Sequence, residues 1–249
     1  MYKNNMRFIR LCAFWVWWGL LSVTLSTDSF AQLSGNLTGV TNYIWRGYTK
    51  SDSQPALQGN IDYEFKSGFY LGSFVSSVNF ADHNYADRSQ IEFRPYAGYS
   101  HKLSEDWRFN VEWNRYVYDG KVFGQNVDYN DFYFYVHFRD FLTASFAFSE
   151  NSYQQNHMSF NHEITGRYPI TDSIELSSTI GYNKQKKNLS YDYVYWTTGV
   201  TMHFSRHVGI DLRYYGATHT AERHAEPFHW QFHPDAVGNR VVFSITAGF

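Results

Sequence analysis

Apolar and polar residues alternate along most of the chain beyond residue 32. In residues 60–65, for example, the sequence reads Asn-Ile-Asp-Tyr-Glu-Phe. A period of two places successive side chains on opposite faces of an extended strand, so each such segment predicts a strand with one apolar and one polar face. The pattern predicts twelve strands, at residues 33–46, 56–66, 69–80, 89–101, 106–118, 129–138, 142–149, 159–168, 174–183, 193–204, 207–216 and 240–249.

The connections between these segments alternate between short and long. The short connections are 66–68, 102–105, 139–141, 169–173 and 205–206, and the long ones are 47–55, 81–88, 119–128, 150–158, 184–192 and 217–239. Outer-membrane barrels have short periplasmic turns and longer external loops. A soluble sandwich or propeller also alternates, but it has no reason to keep every long loop on one side. The sequence therefore predicts an all-β fold, a transmembrane antiparallel up-and-down β-barrel of about twelve strands, within a range of roughly 10–14.

The first 31 residues predict a cleaved signal peptide, which leaves residues 32–249 as the barrel. Three cationic residues precede an apolar run at 11–25, and Ala31 provides the small residue that signal peptidases require. The alternative is a membrane-anchoring helix, but this run is shorter than the ~20 residues that span a bilayer. The expected location is therefore a Gram-negative outer membrane, where lipid is the first partner.

Composition and charge narrow the function further. Aromatic residues make up 20% of the chain, yet its mean hydropathy is −0.47, which suits strands with one apolar and one wet face. The single cysteine, Cys12, lies within the predicted signal. Removing residues 1–31 takes away three cations and one acid, so the net charge of −2 becomes −4. Nucleic-acid partners need a basic face, and none is predicted here.

A barrel of about twelve strands is wider than an eight-stranded barrel, which side chains fill, and narrower than a 16-stranded porin. Its lumen is expected to be narrow and of mixed charge, suited to passive diffusion of small polar or charged solutes. The predicted solute-contacting residues are Asp62, Glu64, Glu92, Arg94, Arg108, Glu112, Asp131, Arg167, Asp211 and Arg213. The same charges could instead pair across the lumen and leave a non-conducting structural or adhesive barrel. No enzyme activity, catalytic residue, cofactor or metal is predicted.

Two other chemistries are weaker alternatives. A lipid-hydrolysing barrel needs a nucleophile beside a base, and His162 with Ser159 or Ser152 is the candidate set. Histidine with carboxylate suits Zn or Cu, and the loop 217–239 contains four histidines, but their spacing fixes no coordination geometry. A solvated external loop is the simpler interpretation of those histidines, which are His219, His224, His229 and His233.

Residues 40–52, 55–63 and 67–72 carry a recognisable series of motifs. These are an aromatic-Arg-Gly strand end, a polar loop, a Pro-Ala-Leu-Gln-Gly strand and a Ser-Gly-Phe-Tyr hairpin. The series, within residues 33–80, resembles the opening of the TorF family of porin-like proteins. The resemblance implies an exported outer-membrane barrel of unassigned substrate, and it brings no catalytic or ligand residues. From its position we expect Gly47 to form an external turn and Arg46 to lie at the rim or in the lumen.

Three further features concern the wall. The alternating segment 240–249 ends in Phe249 and resembles the signal that outer-membrane barrels present to their assembly machinery. Pro95 falls inside a predicted strand, where it removes a ladder hydrogen bond, so a bulge is expected there. Arg115 falls on the outward face near the external end, where its head could reach the interface. A homo-oligomer is compatible with the pattern, which does not define an interface.

Overall fold

The computed structural model describes residues 32–189, 191–218 and 238–249. The predicted signal peptide and the four histidines of loop 217–239 lie outside these residues. In chain order the strands are β1 (Gln32–Val40), β2 (Ile44–Trp45), β3 (Tyr48–Thr49), β4 (Ala56–Glu64), β5 (Phe69–Ser77), β6 (Ile91–Lys102), β7 (Trp107–Tyr118), β8 (Tyr129–Phe138), β9 (Leu142–Ser149), β10 (Ser159–Thr171), β11 (Ile174–Lys184), β12 (Tyr193–His203), β13 (Val208–Ala217) and β14 (Arg240–Gly248). Two short helical turns, a 3-10 turn at Ser152–Gln154 and α1 at Lys186–Leu189, lie in the loops.

All the strands except β2 and β3 form one closed antiparallel barrel of twelve. Each barrel strand pairs with its neighbours along the chain, and β1 closes the cylinder by pairing with both β4 and β14. Side-chain hydroxyls also meet across the β1–β14 seam, where Thr38 and Thr246 lie 2.8 Å apart. The fold class predicted from the alternation is therefore confirmed, with most strand ends within a few residues of the prediction.

The first strand is the main error of the sequence prediction. It was expected to run to residue 46, but β1 ends at Val40 and the chain turns into the barrel. Residues 41–55, which we call the inner hairpin, contain β2 and β3 paired with each other. Alternation alone could not reveal this, because the hairpin's aromatic side chains look like those of a lipid-facing strand.

The two faces of the wall differ as predicted. The outward face is apolar, and side chains such as Leu37, Ile61 and Phe134 are about half exposed. Since lipid offers backbone amides no hydrogen-bond partner, a sheet in a bilayer must close on itself, as this one does. The packed core lies inside the cylinder and is rich in tyrosine. Among the described residues, no helix is long and apolar enough to cross a membrane.

Pro95 and Arg115, the two wall residues that break the alternating pattern, have different surroundings in the structure. The ladder between β6 and β7 is interrupted at Arg94 and Pro95, but the register is the same on both sides of the gap. The bulge expected at Pro95 is therefore wrong, because a missing donor interrupts pairing without inserting a residue. Arg115 reaches Asp128 at 3.7 Å, near the long-loop end of the barrel.

Candidate functional site: the barrel lumen

The inward faces of the strands carry all ten predicted lumen residues, but at two different levels. We call the halves of the barrel the short-turn half and the long-loop half, after the connections at each end. In the short-turn half, Asp62, Glu64, Arg94, Arg108 and Glu112 line one cavity, and Asp211 lines the next. Six of the ten therefore border open space.

The other four predicted residues are placed differently. Arg167 and Arg213 lie along the wall, where they donate to Thr143 Oγ1 and Ser177 Oγ at 3.1 and 2.8 Å. Glu92 and Asp131 are buried in the long-loop half, at 0% and 1% exposure. These two acids contact the inner hairpin rather than open space.

The open part of the lumen includes two cavities of about 560 Å³ each, toward the short-turn half. They adjoin, since both are lined by Gln32, Ser34, Asn60 and Asp62. Polar residues outnumber apolar ones in both linings, with Asn110 and Asn114 in the first and Thr201 and Thr246 in the second. The wall therefore encloses a wet chamber large enough for a small solute.

The charges of this chamber do not neutralise one another across it. Tyr70 donates to Glu112 at 2.9 Å, and Tyr96 donates to Asp62. Arg213 makes two hydrogen bonds to Asp211, at 2.8 and 3.1 Å, but both residues lie on β13. Within the described ranges, neither Asp62 nor Glu112 forms an ion pair. Asp62 and Glu112 are thus held by tyrosine hydroxyls rather than by cations, which leaves the chamber an acidic side.

The inner hairpin closes the long-loop half, and its first anchor is a buried ion pair. Lys50 Nζ lies 2.5 Å from Glu92 Oε2, and both side chains are 0% exposed. Tyr118 donates to the same oxygen at 3.0 Å, and Tyr43 of the hairpin donates to Oε1 at 3.1 Å. Burial lowers the pKa of Lys50 to about 8, although the nearby Glu92 carboxylate acts to raise it.

Five aromatic rings surround the Lys50 ammonium and form what we call the aromatic cage. Their centroids lie 5.0–5.9 Å from Nζ and belong to Tyr43, Trp45, Tyr116, Tyr118 and Tyr153. A cation within about 6 Å of an aromatic face is attracted by the ring quadrupole, more strongly when both are desolvated. The cage and Glu92 together offset the cost of burying the charge.

The second anchor lies at the turn of the hairpin. Arg46 Nη2 contacts Asp131 Oδ2 at 3.1 Å and donates to Tyr133 at 2.8 Å. Tyr193 donates to the Arg46 carbonyl oxygen at 2.7 Å. Arg46 and Gly47 both have positive φ, 46° and 80°, the combination that a tight two-residue hairpin turn requires. The expected lumen role of Arg46 is therefore confirmed, whereas Gly47 turns inside the barrel rather than at an external strand end.

The long loops cover the hairpin from above. Val122 and Val127 are 0% and 1% exposed, and Phe80 is 6% exposed. Tyr153 in the 3-10 turn forms a hydroxyl–hydroxyl hydrogen bond with Tyr48. The continuous narrow lumen expected from the sequence is thus interrupted, because hairpin and loops pack the long-loop half as a core.

Residues 25–249 match the model of a family described as a bacterial protein of unknown function, Gcw_chp. The chain belongs to the Gcw_chp family. A search of the curated proteins finds no match. The match does not carry the name TorF, so that resemblance stays a prediction.

The Gcw_chp chain also resembles solved porin structures. A KdgM porin superposes with a TM-score of 0.54 at 10% identity, over 87% of this chain and 99% of that chain. A KdgM porin in complex with disordered oligogalacturonate gives 0.53 at 9% identity, over 88% and 99%. A NanC porin gives 0.53 at 8% identity, over 86% and 98%. At such identities the likeness establishes the fold.

Sequence reasoning missed Lys50, the buried cation of the inner hairpin in this Gcw_chp protein. A signal was present, since Arg46-Gly47 is flanked by Ile44-Trp45 and Tyr48-Thr49, the pattern of a tight hairpin. What the sequence does not encode directly is that this hairpin folds inward.

The residue set of the lipase alternative is not brought together. His162 faces outward and packs against Phe146 and Tyr182, whereas Ser159 is buried on the inward face of the same strand. Ser152 is buried in the 3-10 turn. The wall separates the base from the nearest nucleophile, so no proton transfer between them is feasible. In the described part of the chain, no three His, Asp or Glu residues could hold a metal ion together.

Proposed function

We propose that the protein is an outer-membrane channel through which small polar or charged solutes diffuse passively, and that the inner hairpin closes it. The observation that carries the proposal is the polar chamber inside an apolar-skinned closed wall. A chamber with this lining has no use in burying apolar surface. The barrel-shaped relatives that the fold resembles are porins by name, which supports the same function.

The outer membrane is the compartment that suits this wall. Leucine, isoleucine, valine and phenylalanine side chains face outward from nearly every strand, and exposing them to water would be unfavourable. The long loops then face outside and the chamber opens toward the periplasm, the orientation usual for such barrels. Under this proposal Asp62, Glu64, Arg94, Arg108 and Glu112 border the solute path.

A closed structural barrel is the second candidate, favoured by the packed long-loop half. The two candidates differ in what the hairpin does. If it is a gate, removing it opens a path through the wall. If it belongs to a permanently filled core, removing it collapses or destabilises the barrel without conductance.

The register of the wall allows this test to be made cleanly. Val40 of β1 pairs directly with Ala56 of β4, so residues 41–55 can be replaced by Asn-Gly in a two-residue turn that joins the strands. We expect the refolded wild type to conduct weakly in planar bilayers and the shortened variant to show a large, stable conductance.

A matched control is the replacement of loop residues 119–128 by Asn-Gly, which joins β7 to β8 by a four-residue connection above the Tyr116–Tyr129 pair. This variant keeps the hairpin and both of its anchors. Circular dichroism and heat-modified gel mobility should confirm that each variant is a barrel. A folded hairpin-shortened variant without conductance above background would contradict the channel and favour the structural barrel.

We also propose that assembly machinery recognises β14 through Phe249. The ring of Phe249 is 69% exposed, and its backbone exchanges hydrogen bonds with Gly35 across the seam. Substituting Phe249→Ala should lower the yield of folded barrel in cells while leaving refolding in detergent unchanged. An equal loss in both assays would assign the residue to stability alone.

A further inference from the structure

The aromatic cage has the composition of a receptor for an organic cation. Its five rings surround one ammonium, and a carboxylate closes the cage at 2.5 Å from the nitrogen. Stacked aromatic faces with one acid are how proteins recognise alkylammonium groups. In this chain the occupant is its own lysine side chain.

We propose that the cage is a binding site for solutes carrying a primary or quaternary ammonium group, and that Lys50 occupies it as a tethered stand-in. A solute that replaces Lys50 breaks the first anchor of the inner hairpin. Binding and opening are thereby linked, since the ligand is favoured only when the lysine has left. The transport part rests on the proposed function, whereas binding to the cage does not.

Half of the cage remains on the wall when the hairpin leaves. Glu92, Tyr116 and Tyr118 belong to β6 and β7, and only Tyr43 and Trp45 move with the hairpin. A solute therefore meets a carboxylate and two rings on the wall, with Tyr153 of the 3-10 turn as a third ring. Glu92 and these rings become exposed when Lys50 moves away from the wall.

The rings below the cage already hold a second cation, whose charge, like that of Arg46, opposes a cation in the cage and is outweighed there by Glu92 and the five rings. Arg94 sits below the cage with its guanidinium 4.5 Å from the ring of Phe74 and 5.2 Å from that of Tyr116. Arg94 and Phe74 also line the chamber, so aromatic surface that accepts a cation continues from cage to chamber. Asp62, Glu64 and Glu112 then extend a negative wall toward the short-turn end.

Chemical rescue tests the cage without requiring conduction. Lys50→Ala removes the atoms beyond Cβ, which n-propylammonium reproduces. We expect the refolded variant in detergent to unfold at a lower temperature than wild type. Propylammonium at about one hundred times its Kd should raise that midpoint by about 5–10 °C. Wild type should respond much less, because Lys50 competes with the ligand for the cage.

Three controls separate charge and shape from solvent effects. Propanol should not rescue Lys50→Ala, and propylammonium should not rescue Lys50→Ala combined with Glu92→Gln. Lys187→Ala removes an exposed lysine of α1 and should behave as wild type. If Lys50→Ala folds only when propylammonium is present during refolding, the site is supported. Rescue by propanol, or none under either protocol, would overturn it.

Conductance then tests the coupling separately. Propylammonium or choline added to wild-type channels should increase open probability, whereas propionate should not. If rescue succeeds but no variant conducts, the binding site stands and the channel proposal fails. If channels conduct but neither rescue nor opening by cations occurs, the channel stands and the cation site is wrong.

Discussion

At the scale of single residues, the barrel buries an ion pair that the stability of the fold does not require. Lys50 and Glu92 are both fully buried, although buried ion pairs seldom stabilise a protein more than well-packed apolar residues do. Removing one partner of such a pair costs about 3–5 kcal/mol, since the other charge is left uncompensated. A closure built this way is secure while paired and weak once one partner is displaced.

Gly47 is the position in the hairpin turn that least tolerates a side chain. Its φ is +80°, and an added Cβ would lie 2.7 Å from Tyr195 Cβ. Gly47→Ala should destabilise the closed state by about 1–3 kcal/mol, because strain in the left-handed region adds to the clash. Single-channel recording should show a higher open probability.

Gly166→Ala is the matched control, since nothing lies within 4 Å of its Cβ position. It sits on a barrel strand and should leave both the midpoint of unfolding and the open probability near wild type. Equal effects from the two substitutions would indicate that glycine matters only to the barrel as a whole.

At the scale of elements, the sequence predicted the wall well and its contents poorly. Period-two alternation arises when one face of a strand meets an apolar medium and the other meets water. The strands around Ile61 and Phe134 could therefore be predicted from the sequence. The inner hairpin could not be predicted in this way. An aromatic side chain that faces lipid and one that packs in a tyrosine core produce the same sequence pattern. The structure places the ten lumen residues on the inward face, but nothing local showed that Glu92 and Asp131 would be covered.

The faces of one strand give a direct test of the solvent on each side. Ile164 of β10 is outward and 54% exposed, and Thr165 beside it faces inward, where its hydroxyl meets Thr179. Ile164→Arg should destabilise the barrel in lipid by about 2–4 kcal/mol, the cost of a cation near the bilayer midplane.

Thr165→Arg is the control and should cost much less, because its side chain reaches the wet lumen. Equilibrium unfolding in urea from lipid vesicles would measure both. A greater loss for the inward substitution would reverse the assignment of faces.

At the scale of the whole molecule, the hairpin offsets part of the acidic charge of the lumen. The ten predicted lumen residues carry six carboxylates, on Asp62, Glu64, Glu92, Glu112, Asp131 and Asp211, and four guanidiniums, on Arg94, Arg108, Arg167 and Arg213. Arg46 and Lys50 of the hairpin supply two further cations against this excess. Under the proposed function, displacing the hairpin therefore leaves a negative conduit.

Ion selectivity of the hairpin-shortened barrel should follow from that imbalance. Since rings of acidic side chains favour cations, its reversal potential in a KCl gradient should shift toward that of K⁺. Glu112→Gln should reduce the shift and Arg108→Gln should increase it. Anion preference in the shortened variant would contradict the charge assignment.

The β1–β14 seam also governs how the cylinder comes into being. Thr38 and Thr246, which face each other there, are 208 residues apart in the chain, and contacts of such long range form late. Until they form, the sheet has two free edges, each able to recruit a strand from another molecule. The protein is thus most prone to aggregate before β1 and β14 pair, while the sheet is still open. How much of it aggregates depends on how quickly the barrel closes.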